Sequence, residues 1–462
     1  MKLKNMSSQP KKILKIFFMP MDGVGHINAC VGMAQALAKR GHQIYFLSNP
    51  MFAGTYEKHG FKEIVLQSDV KQKMLETTND EKSDKKAHPI KAFVPMLQKL
   101  RESGMLSGKS SFEKLKVFDP EEDHFLGKIY EELKEVHPKI VELIEQEKPD
   151  LIIVDHFLVP PCIAYGKTPW AFLFSGNPLF ILEHPDLPPI TSGYPTNDRS
   201  NWVEFREKFS KGFPTGIRNQ QNKLNKYFGY PEVSSNQFMF KSPYMNIYGY
   251  PEELDYTDLM TLPQNFVRLD AFCRDSPESF ELPAEFKAKI KPSDKLIYVS
   301  MGSMGSIDVD LMKRLVTELS KSPHKYIFSM GPAHEHYELA ENMWGEAFLP
   351  QTKILPIVDL VITHGGNNTV TETFNHGKPM LIMPLFADQY DNAQRILEKG
   401  YGNRMNGYLF KEGELCQMID RLLDDKEMQQ RCLAAAKRMS ASNSKEKACE
   451  KIEQIVEQLS SK

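Results

Sequence analysis

The sequence has little cysteine, little tryptophan and almost no net charge. Its 6 cysteines include no C-x-x-C spacing, which argues against a zinc site or a dithiol centre and favours a reducing compartment. Lys and Arg number 58 against 60 Asp and Glu, so no overall basic field exists to attract nucleic acid or an anionic membrane. No stretch reaches the ~18 apolar residues that a transmembrane helix needs. We therefore expect a cytoplasmic monomer with no nucleic-acid partner and no membrane anchor.

The N-terminus superficially resembles a secretory signal, because several lysines surround a short apolar run at residues 13–20. Those lysines are Lys2, Lys4, Lys11, Lys12 and Lys15. Lys15 interrupts the run, which leads directly into the turn D-G-V-G, so the run predicts a buried first strand. Further on, the charged run NDEKSDKK at residues 79–86 is typical of a solvated surface loop.

The 462 residues exceed what a single hydrophobic core usually contains, so we expect two large domains. Strand-like runs alternate with helical patterns at both ends of the chain, which predicts an α/β fold with parallel sheets. We place an N-terminal domain at 1–267, a linker at 268–292, a C-terminal domain at 293–443 and a final helix at 444–462. The aromatic, proline-rich stretch at 178–263 suits loops and short helices that form the variable wall of a pocket.

The first strand-to-helix turn contains Gly23 and Gly25, so dinucleotide binding must be considered. That fingerprint has a third glycine and, about 20 residues on, an acid for the ribose. Here Asn28 occupies the third position and the second strand ends at Asn49 without an acid, so we do not expect NAD or FAD. The turn instead offers His26 at the carboxyl end of a parallel strand.

Asp155 ends a second apolar strand, LIIVD, at the same edge of the predicted sheet. A carboxylate there could bond one imidazole nitrogen of His26 while the other nitrogen faces a substrate hydroxyl. Both residues also have a plainer interpretation. His26 could be a local polar residue at a helix start, and Asp155 could cap the helix that follows it.

The segment 348–396 is the most informative part of the sequence. A strand, a Gly365-Gly366 turn and a helix place backbone N–H groups at a helix N-terminus, where a diphosphate is well held. Asn368 and Glu372 are four residues apart and therefore share one helix face. Asp388 follows the next strand, where a carboxylate could meet sugar hydroxyls.

This segment resembles the donor-binding signature of the inverting UDP-glycosyltransferases, which have the GT-B fold. The matching positions are Pro350, Gln351, His364, Gly365, Gly366, Asn368, Thr369, Glu372, Asp388 and Gln389. The stretch DGVGHINACVGMAQALAKRGH resembles the family's opening, and VDHF resembles the strand end that carries its aspartate. Residues 51–149 and 177–291 resemble the family only loosely. The resemblance implies two Rossmann-like domains whose parallel sheets face each other across a cleft.

The resemblance also implies roles for individual residues. His26 would be the general base and Asp155 its orienting partner. The residues implied for the UDP-sugar are Ser303, His364, Gly366, Asn368 and Thr369 at the diphosphate, Gln351 and Glu372 at the ribose, and Asp388 and Gln389 at the sugar. Phe348 stands where many members place a tryptophan that stacks on uracil, and we expect nearby Trp344 to be a packing residue.

The implied reaction has no resident cofactor, because UDP-glucose is a co-substrate. The implied acceptor is a small, hydrophobic molecule such as a flavonoid, a phenol or a xenobiotic-like compound. Asp308 and Asp310 form an Asp-x-Asp string of the kind that binds metal in a different glycosyltransferase fold, but they open a predicted helix and suit its dipole. We therefore expect no metal. A nucleotide-sugar epimerase and a catalytically inactive UDP-sugar-binding protein remain alternatives.

Overall fold

The computed structural model describes residues 12–76, 94–115, 124–234, 237, 239–276 and 278–460. Two sequence predictions fall outside these residues. The first is the surface loop predicted at 79–86. The second is the lysine-rich N-terminus that includes Lys2, Lys4 and Lys11.

Within this part of the chain the strands are β1 (Lys15–Pro20), β2 (Gln43–Ser48), β3 (Lys62–Val65), β4 (Leu151–Asp155), β5 (Trp170–Phe174), β6 (Met245–Gly249), β7 (Phe266–Leu269), β8 (Leu296–Ser300), β9 (Lys325–Ser329), β10 (Met343–Glu346), β11 (Leu360–Thr363), β12 (Met380–Ile382) and β13 (Gly402–Arg404).

The helices are α1 (Val24–Lys39), α2 (Asp69–Glu76), α3 (Val94–Glu102), α4 (Ser111–Lys114), α5 (His124–Glu147), α6 (Pro161–Ala164), α7 (Trp202–Ser210), α8 (Phe213–Tyr227), α9 (Ala284–Ala288), α10 (Gly302–Gly305), α11 (Val309–Leu319), α12 (Gln351–Ile354), α13 (Asn367–Asn375), α14 (Gln389–Lys399), α15 (Glu414–Asp424), α16 (Lys426–Ser440) and α17 (Ser444–Ser460).

The strands form two parallel sheets, as the alternating pattern predicts. The first sheet has seven strands in the order β3-β2-β1-β4-β5-β6-β7, and the second has six in the order β10-β9-β8-β11-β12-β13. In each sheet the strand order reverses at one point, between β1 and β4 and between β8 and β11. Ligands of open α/β sheets bind outside the carboxyl ends of the strands at such a point.

The central strands of both sheets are buried, as is usual for parallel sheets. Helices cover both faces, so every residue of β4, β5, β8 and β11 is buried and these strands have no polar alternation. Three clusters of buried apolar side chains form the core. All 6 cysteines are free thiols.

The middle of the chain is more regular than its sequence indicates. Residues 178–263 contain the 15-residue helix α8 and the fully buried strand β6 in addition to loops. Strand β6 is only five residues long and lies between β5 and β7, so its pattern is a short apolar run without alternation. Such a run cannot be distinguished from loop or helix by periodicity alone. Strand β7 extends to Leu269, just beyond the domain end predicted at 267.

The C-terminal helix α17 packs on the first domain. Its buried side chains include Ile452 and Val456, which belong to the same apolar cluster as residues of α1 and the first sheet. Glu453 of α17 accepts two hydrogen bonds from Arg40, at 2.7 Å and 2.8 Å. This bidentate pair attaches the end of the chain to the end of α1.

Among the described residues, no helix combines the length and the apolar character that crossing a bilayer requires.

Candidate active site

His26 and Asp155 meet at the point where the first sheet reverses its strand order. Asp155 is the last residue of β4, and His26 lies in the first turn of α1, directly after β1. The Nδ1 atom of His26 is 3.0 Å from Oδ2 of Asp155. The helix that follows Asp155 begins after Pro160, so the Asp155 carboxylate does not cap it. The carboxylate that the sequence places at this edge therefore contacts the imidazole.

Ser175 is a further partner of His26 that the sequence did not reveal. Its Oγ lies 2.8 Å from the same Nδ1 atom, and it follows the end of β5. Both partners engage Nδ1, so Nε2 is the nitrogen left for a substrate. A polar residue just past the end of a neighbouring strand was the available signal, but serine is too common in loops for that signal to be specific.

The pKa of His26 reflects burial opposed by nearby carboxylates. Burial lowers the pKa of His26, but the charge and hydrogen bond of Asp155, together with Asp388 and Asp22, raise it above its usual value. Asp388 belongs to the second domain, at the N-terminus of α14. The imidazole therefore lies within the electrostatic field of a carboxylate from the opposite side of the cleft.

His364 lies where the second sheet reverses its strand order. It follows β11 and is enclosed by glycines, because a Cβ added to Gly302 would lie 2.5 Å from its Cε1 atom and one added to Gly366 would lie 2.6 Å from its Nε2 atom. Burial lowers the pKa of His364 to about 4. The imidazole is therefore neutral near pH 7 and acts as a hydrogen-bonding group, not as a cation. Ser303 stands next to Gly302 in the short helix α10.

The N-terminus of α13 reaches across the cleft. Nδ2 of Asn368 donates to the carbonyl oxygen of Gly25 at 2.6 Å. Nδ2 of the preceding residue, Asn367, donates to the carbonyl oxygens of Ser175 and Gly249 at 3.1 Å and 3.0 Å. Asn368, the predicted phosphate contact, thus forms a hydrogen bond between the two domains beside His26. Asn367 forms a second interdomain contact, which the sequence analysis did not predict.

Glu372 and Gln351, the predicted ribose pair, lie together. Gln351 Nε2 donates to Glu372 Oε2 at 2.7 Å, and Thr369 Oγ1 lies 3.4 Å from the same nitrogen. The other oxygen of Glu372 accepts a hydrogen bond from Arg274 at 2.9 Å. Glu372 is 4% exposed, so this buried carboxylate is compensated by a cation from the segment between the two sheets. Arg274 lies in the predicted linker, where the sequence pattern suggested no site residue.

Asp388 is held by a residue of the first domain, and Gln389 by the loop that carries it. Asp388 Oδ2 accepts a hydrogen bond from the backbone N–H of Asn177 at 2.8 Å. Gln389 Oε1 accepts from the N–H groups of Leu385 and Phe386 at 2.9 Å and 3.2 Å, which leaves the amide nitrogen as the group available to a ligand.

The backbone next to Asp388 is strained. Ala387 has a φ of 53°, a left-handed conformation that costs a non-glycine residue about 1–2 kcal/mol. Burial raises the pKa of Asp388, against the opposing effects of the Asn177 hydrogen bond and of His26. Strain and a buried carboxylate at one loop are typical of a ligand site.

The two aromatic residues considered for uracil stacking lie in β10 and just after it. Phe348 is 38% exposed and follows β10. Trp344, in β10 itself, packs against Phe280 and Phe286 with ring centroids 6.0 Å and 6.3 Å apart. Trp344 is thus a packing residue in this structure, whereas Phe348 is partly exposed to solvent.

The two carboxylates of the Asp-x-Asp string have separate partners. Asp308 caps α11 by accepting from the N–H of Leu311 at 3.2 Å, and it also accepts from the hydroxyl of Tyr408. Asp310 pairs instead with Arg101. In the described residues, no group of three or more His, Cys, Asp or Glu side chains could hold a metal ion.

Two facing Rossmann-like sheets, each with chemistry-bearing residues at its switch point, define a GT-B protein. The solved structure of the glycotransferase of kitacinnamycin superimposes with a TM-score of 0.67, at 16% identity, over 96% of this chain and 100% of that one. At this identity the similarity establishes the fold.

The sequence comparisons find UDP-glycosyltransferases among the relatives of this chain. Residues 260–438 match the profile described as UDP-glucoronosyl and UDP-glucosyl transferase. UDP-glucuronosyltransferase 3A1 of Bos taurus is 30% identical over 166 residues, which cover 35% of this chain and 31% of the bovine protein. The 4'-demethylrebeccamycin synthase of Lentzea aerocolonigenes is 18% identical over 87% of this chain and 90% of its own. The matched part of the chain, residues 260–438, is therefore similar to the UDP-glycosyltransferases, and the bovine match spans only about a third of that relative.

Proposed function

We propose that this protein transfers glucose from UDP-glucose to a hydroxyl of a small, hydrophobic acceptor, with inversion at the anomeric carbon. The observation that carries the proposal is the position of His26. Its Nδ1 atom lies 3.0 Å from Asp155, and the charge of Asp388, on the donor side of the cleft, also acts on the imidazole. A base beside a buried carboxylate, opposite a sugar-binding loop, is what proton removal during glycosyl transfer requires.

In the proposed reaction His26 Nε2 removes the acceptor proton while the acceptor oxygen attacks the anomeric carbon. Asp155 holds the imidazole through Nδ1 and stabilises the imidazolium that forms. UDP departs from the opposite face of the sugar, through a transition state that resembles an oxocarbenium ion. An α-linked donor then gives a β-glycoside.

The leaving UDP would be received by neutral hydrogen-bond donors. The N-terminus of α13 supplies backbone N–H groups from Gly366 onward, and His364 is neutral. Gln351 and Glu372 would bind the ribose hydroxyls, and Asp388 and Gln389 the glucose hydroxyls. The roles of Ser303, Asn368 and Thr369 at the diphosphate and of Phe348 at uracil belong to the same proposal.

An apolar acceptor is supported by the surroundings of His26. The ring of Phe157 lies edge-on to the imidazole, with centroids 6.2 Å apart, and packs in turn against Phe213 at 5.4 Å. Such aromatic walls suit a flat phenol or flavonoid better than a sugar or an ion. The cytoplasmic location and the monomeric state stay predictions.

Acceptor-dependent release of UDP tests the proposal. A panel of phenols and flavonoids is incubated with UDP-glucose, and product masses are recorded together with UDP release. A mass gain of one hexose on an acceptor supports glucosyl transfer. UDP-glucose turnover without any acceptor product indicates an epimerase or hydrolase, and UDP binding without turnover indicates an inactive binding protein.

A further inference from the structure

A buried lysine of the first domain contacts the loop that carries Asp388 and Gln389. Lys114 ends the short helix α4 and is 4% exposed. Its Nζ donates to the carbonyl oxygen of Leu385 at 2.8 Å and to the hydroxyl of Tyr390 at 2.7 Å. These two acceptors flank residues 386–389, so Lys114 bonds to the loop at both of its ends.

The surroundings of Lys114 are unusual for a lysine. Buried lysines are rare unless a carboxylate pairs with them. Across the described ranges of the chain, no ion pair joins Lys114 to a carboxylate. Burial and the charge of Lys109 lower the pKa of Lys114 to about 8. Two neutral oxygens and the ring of Tyr390, 5.4 Å from Nζ, are what compensate this ammonium group.

The segment that carries Lys114 is itself fixed by contacts. Leu106, earlier in the same segment, is 5% exposed and belongs to the apolar core of the second sheet. The carbonyl oxygen of Gly108 accepts from Asn406 Nδ2 at 2.9 Å, and the hydroxyl of Ser111 donates to the carbonyl oxygen of Ser192 at 2.6 Å. The segment from Leu106 to Lys114 therefore lies between the two domains, with Leu106 and Gly108 against the donor domain and Ser111 bonded to the first domain, and it presents Nζ to the loop at a fixed position.

The loop needs external support because its own geometry is strained at Ala387. Its internal hydrogen bonds include those received by Gln389 Oε1, the 3.3 Å backbone bond from Gln389 N–H to the carbonyl oxygen of Phe386, and the 3.1 Å bond from the Tyr390 hydroxyl to the carbonyl oxygen of Leu385. Lys114 contacts both partners of that last bond. Removal of the Lys114 ammonium group would release Leu385 and Tyr390, which flank the part of the loop that carries Asp388.

We propose that Lys114 is a positioning residue for the donor sugar. It fixes the loop 385–390 so that Asp388 and Gln389 meet the glucose hydroxyls, and it makes sugar recognition depend on a segment of the opposite domain. The proposal rests on the proposed function, since it takes Asp388 and Gln389 to bind the sugar. The residues assigned to uridine and diphosphate lie elsewhere, after β10 and on α10, α12, α13 and the His364 turn, so Lys114 should affect the sugar and not the nucleotide.

The test compares UDP-glucose with UDP in Lys114→Met, which keeps the length of the side chain and removes its donors. We expect kcat/KM for UDP-glucose to fall roughly ten- to a hundredfold, because sub-ångström misplacement of sugar contacts is costly. The dissociation constant of UDP, measured by calorimetry, should stay within about twofold, since hydrogen bonds to the nucleotide are unchanged. Lys99→Met is the matched control, because Lys99 is exposed on α3 of the same segment, and it should behave as wild type.

Wild-type kinetics in Lys114→Met, or an equal loss of UDP and UDP-glucose binding, would overturn the proposal. If this variant does not fold, as judged by its melting curve, Tyr390→Phe decides. This substitution removes one acceptor of Lys114. It should lower kcat/KM for UDP-glucose by a smaller factor and leave the dissociation constant of UDP unchanged. An unchanged kcat/KM would refute the proposal. The ratio of the UDP-glucose and UDP dissociation constants is measured without an acceptor. A wild-type protein that never glycosylates would therefore refute the proposed function while the ratio still tests Lys114.

Discussion

The acceptor half and the donor half of the cleft differ in how their polar groups are supported. On the acceptor side His26 depends on Asp155, which is 1% exposed, with Ser175 beside them. On the donor side Glu372 and Asp388 each bond to residues from another part of the chain, Arg274 and Asn177. The comparison shows one compact histidine–carboxylate pair facing a distributed network of contacts.

This difference predicts how the two halves respond to substitution. A pair with one buried carboxylate concentrates its effect in one or two side chains. A network in which each member has several partners spreads the effect, and its single substitutions are non-additive. We therefore expect large losses from the two residues of the acceptor half and smaller, coupled losses from the donor half.

The largest loss should come from His26→Ala. Removing the general base should lower kcat by roughly 10²–10⁴-fold with a phenol of ordinary acidity, while UDP affinity stays near wild type because the base belongs to the acceptor half. Product mass and UDP calorimetry measure the two quantities. His336→Ala, an exposed histidine of the donor domain, is the control. Retained turnover in His26→Ala would contradict the assignment of His26 as the general base.

Asp155→Asn should lower kcat by roughly 10²-fold and also change the pH profile, because the carboxylate orients and stabilises the imidazolium. The wild-type pKa of His26 is raised above 6.5, and the base acts only when neutral, so activity should fall as pH falls through a value above 6.5. Loss of the Asp155 charge lowers that pKa and moves the acid limb to lower pH. A change confined to melting temperature would show that Asp155 is structural only.

Donor choice tests the sugar contacts of the network. We expect UDP-glucose to be preferred over UDP-galactose and UDP-glucuronic acid by roughly ten- to a hundredfold in kcat/KM, since an axial hydroxyl leaves a buried polar group unpaired. The three donors compete for one acceptor, and product masses report the ratio. Equal or better use of UDP-galactose or UDP-glucuronic acid would contradict the roles given to Asp388 and Gln389.

The smallest effect should come from Glu372→Gln, which keeps the shape of the side chain and removes its charge. UDP affinity should fall by roughly tenfold, because hydrogen bonds to charged groups contribute about 1.5–3 kcal/mol and part of the bonding survives. Glu341→Gln, at an exposed carboxylate of the same domain, is the control for calorimetry. Unchanged affinity would show that Glu372 serves Arg274 and not the ribose.

Some parts of this architecture follow from local sequence patterns. Strands such as LIIVD and LIYVS are apolar throughout because both faces of a parallel sheet are buried, and this pattern is visible in one dimension. The short strand β6 was missed because five buried residues between aromatic and proline-rich segments have no period to detect. The residues Ser175, Arg274 and Lys114 were missed because each lies in a segment whose sequence resembles an ordinary loop or surface helix.

Local sequence patterns were enough to predict the two parallel sheets, the turn glycines and the ordered series from Gln351 to Gln389, because apolar strand runs and helix starts depend on neighbours along the chain. The order of the strands and the partners of the site residues depend on the tertiary fold. His26 with Asp155, Arg274 with Glu372 and Lys114 with Leu385 join positions far apart in the sequence. Such contacts depend on how helices and loops from two domains face each other across the cleft, and no local pattern carries that information.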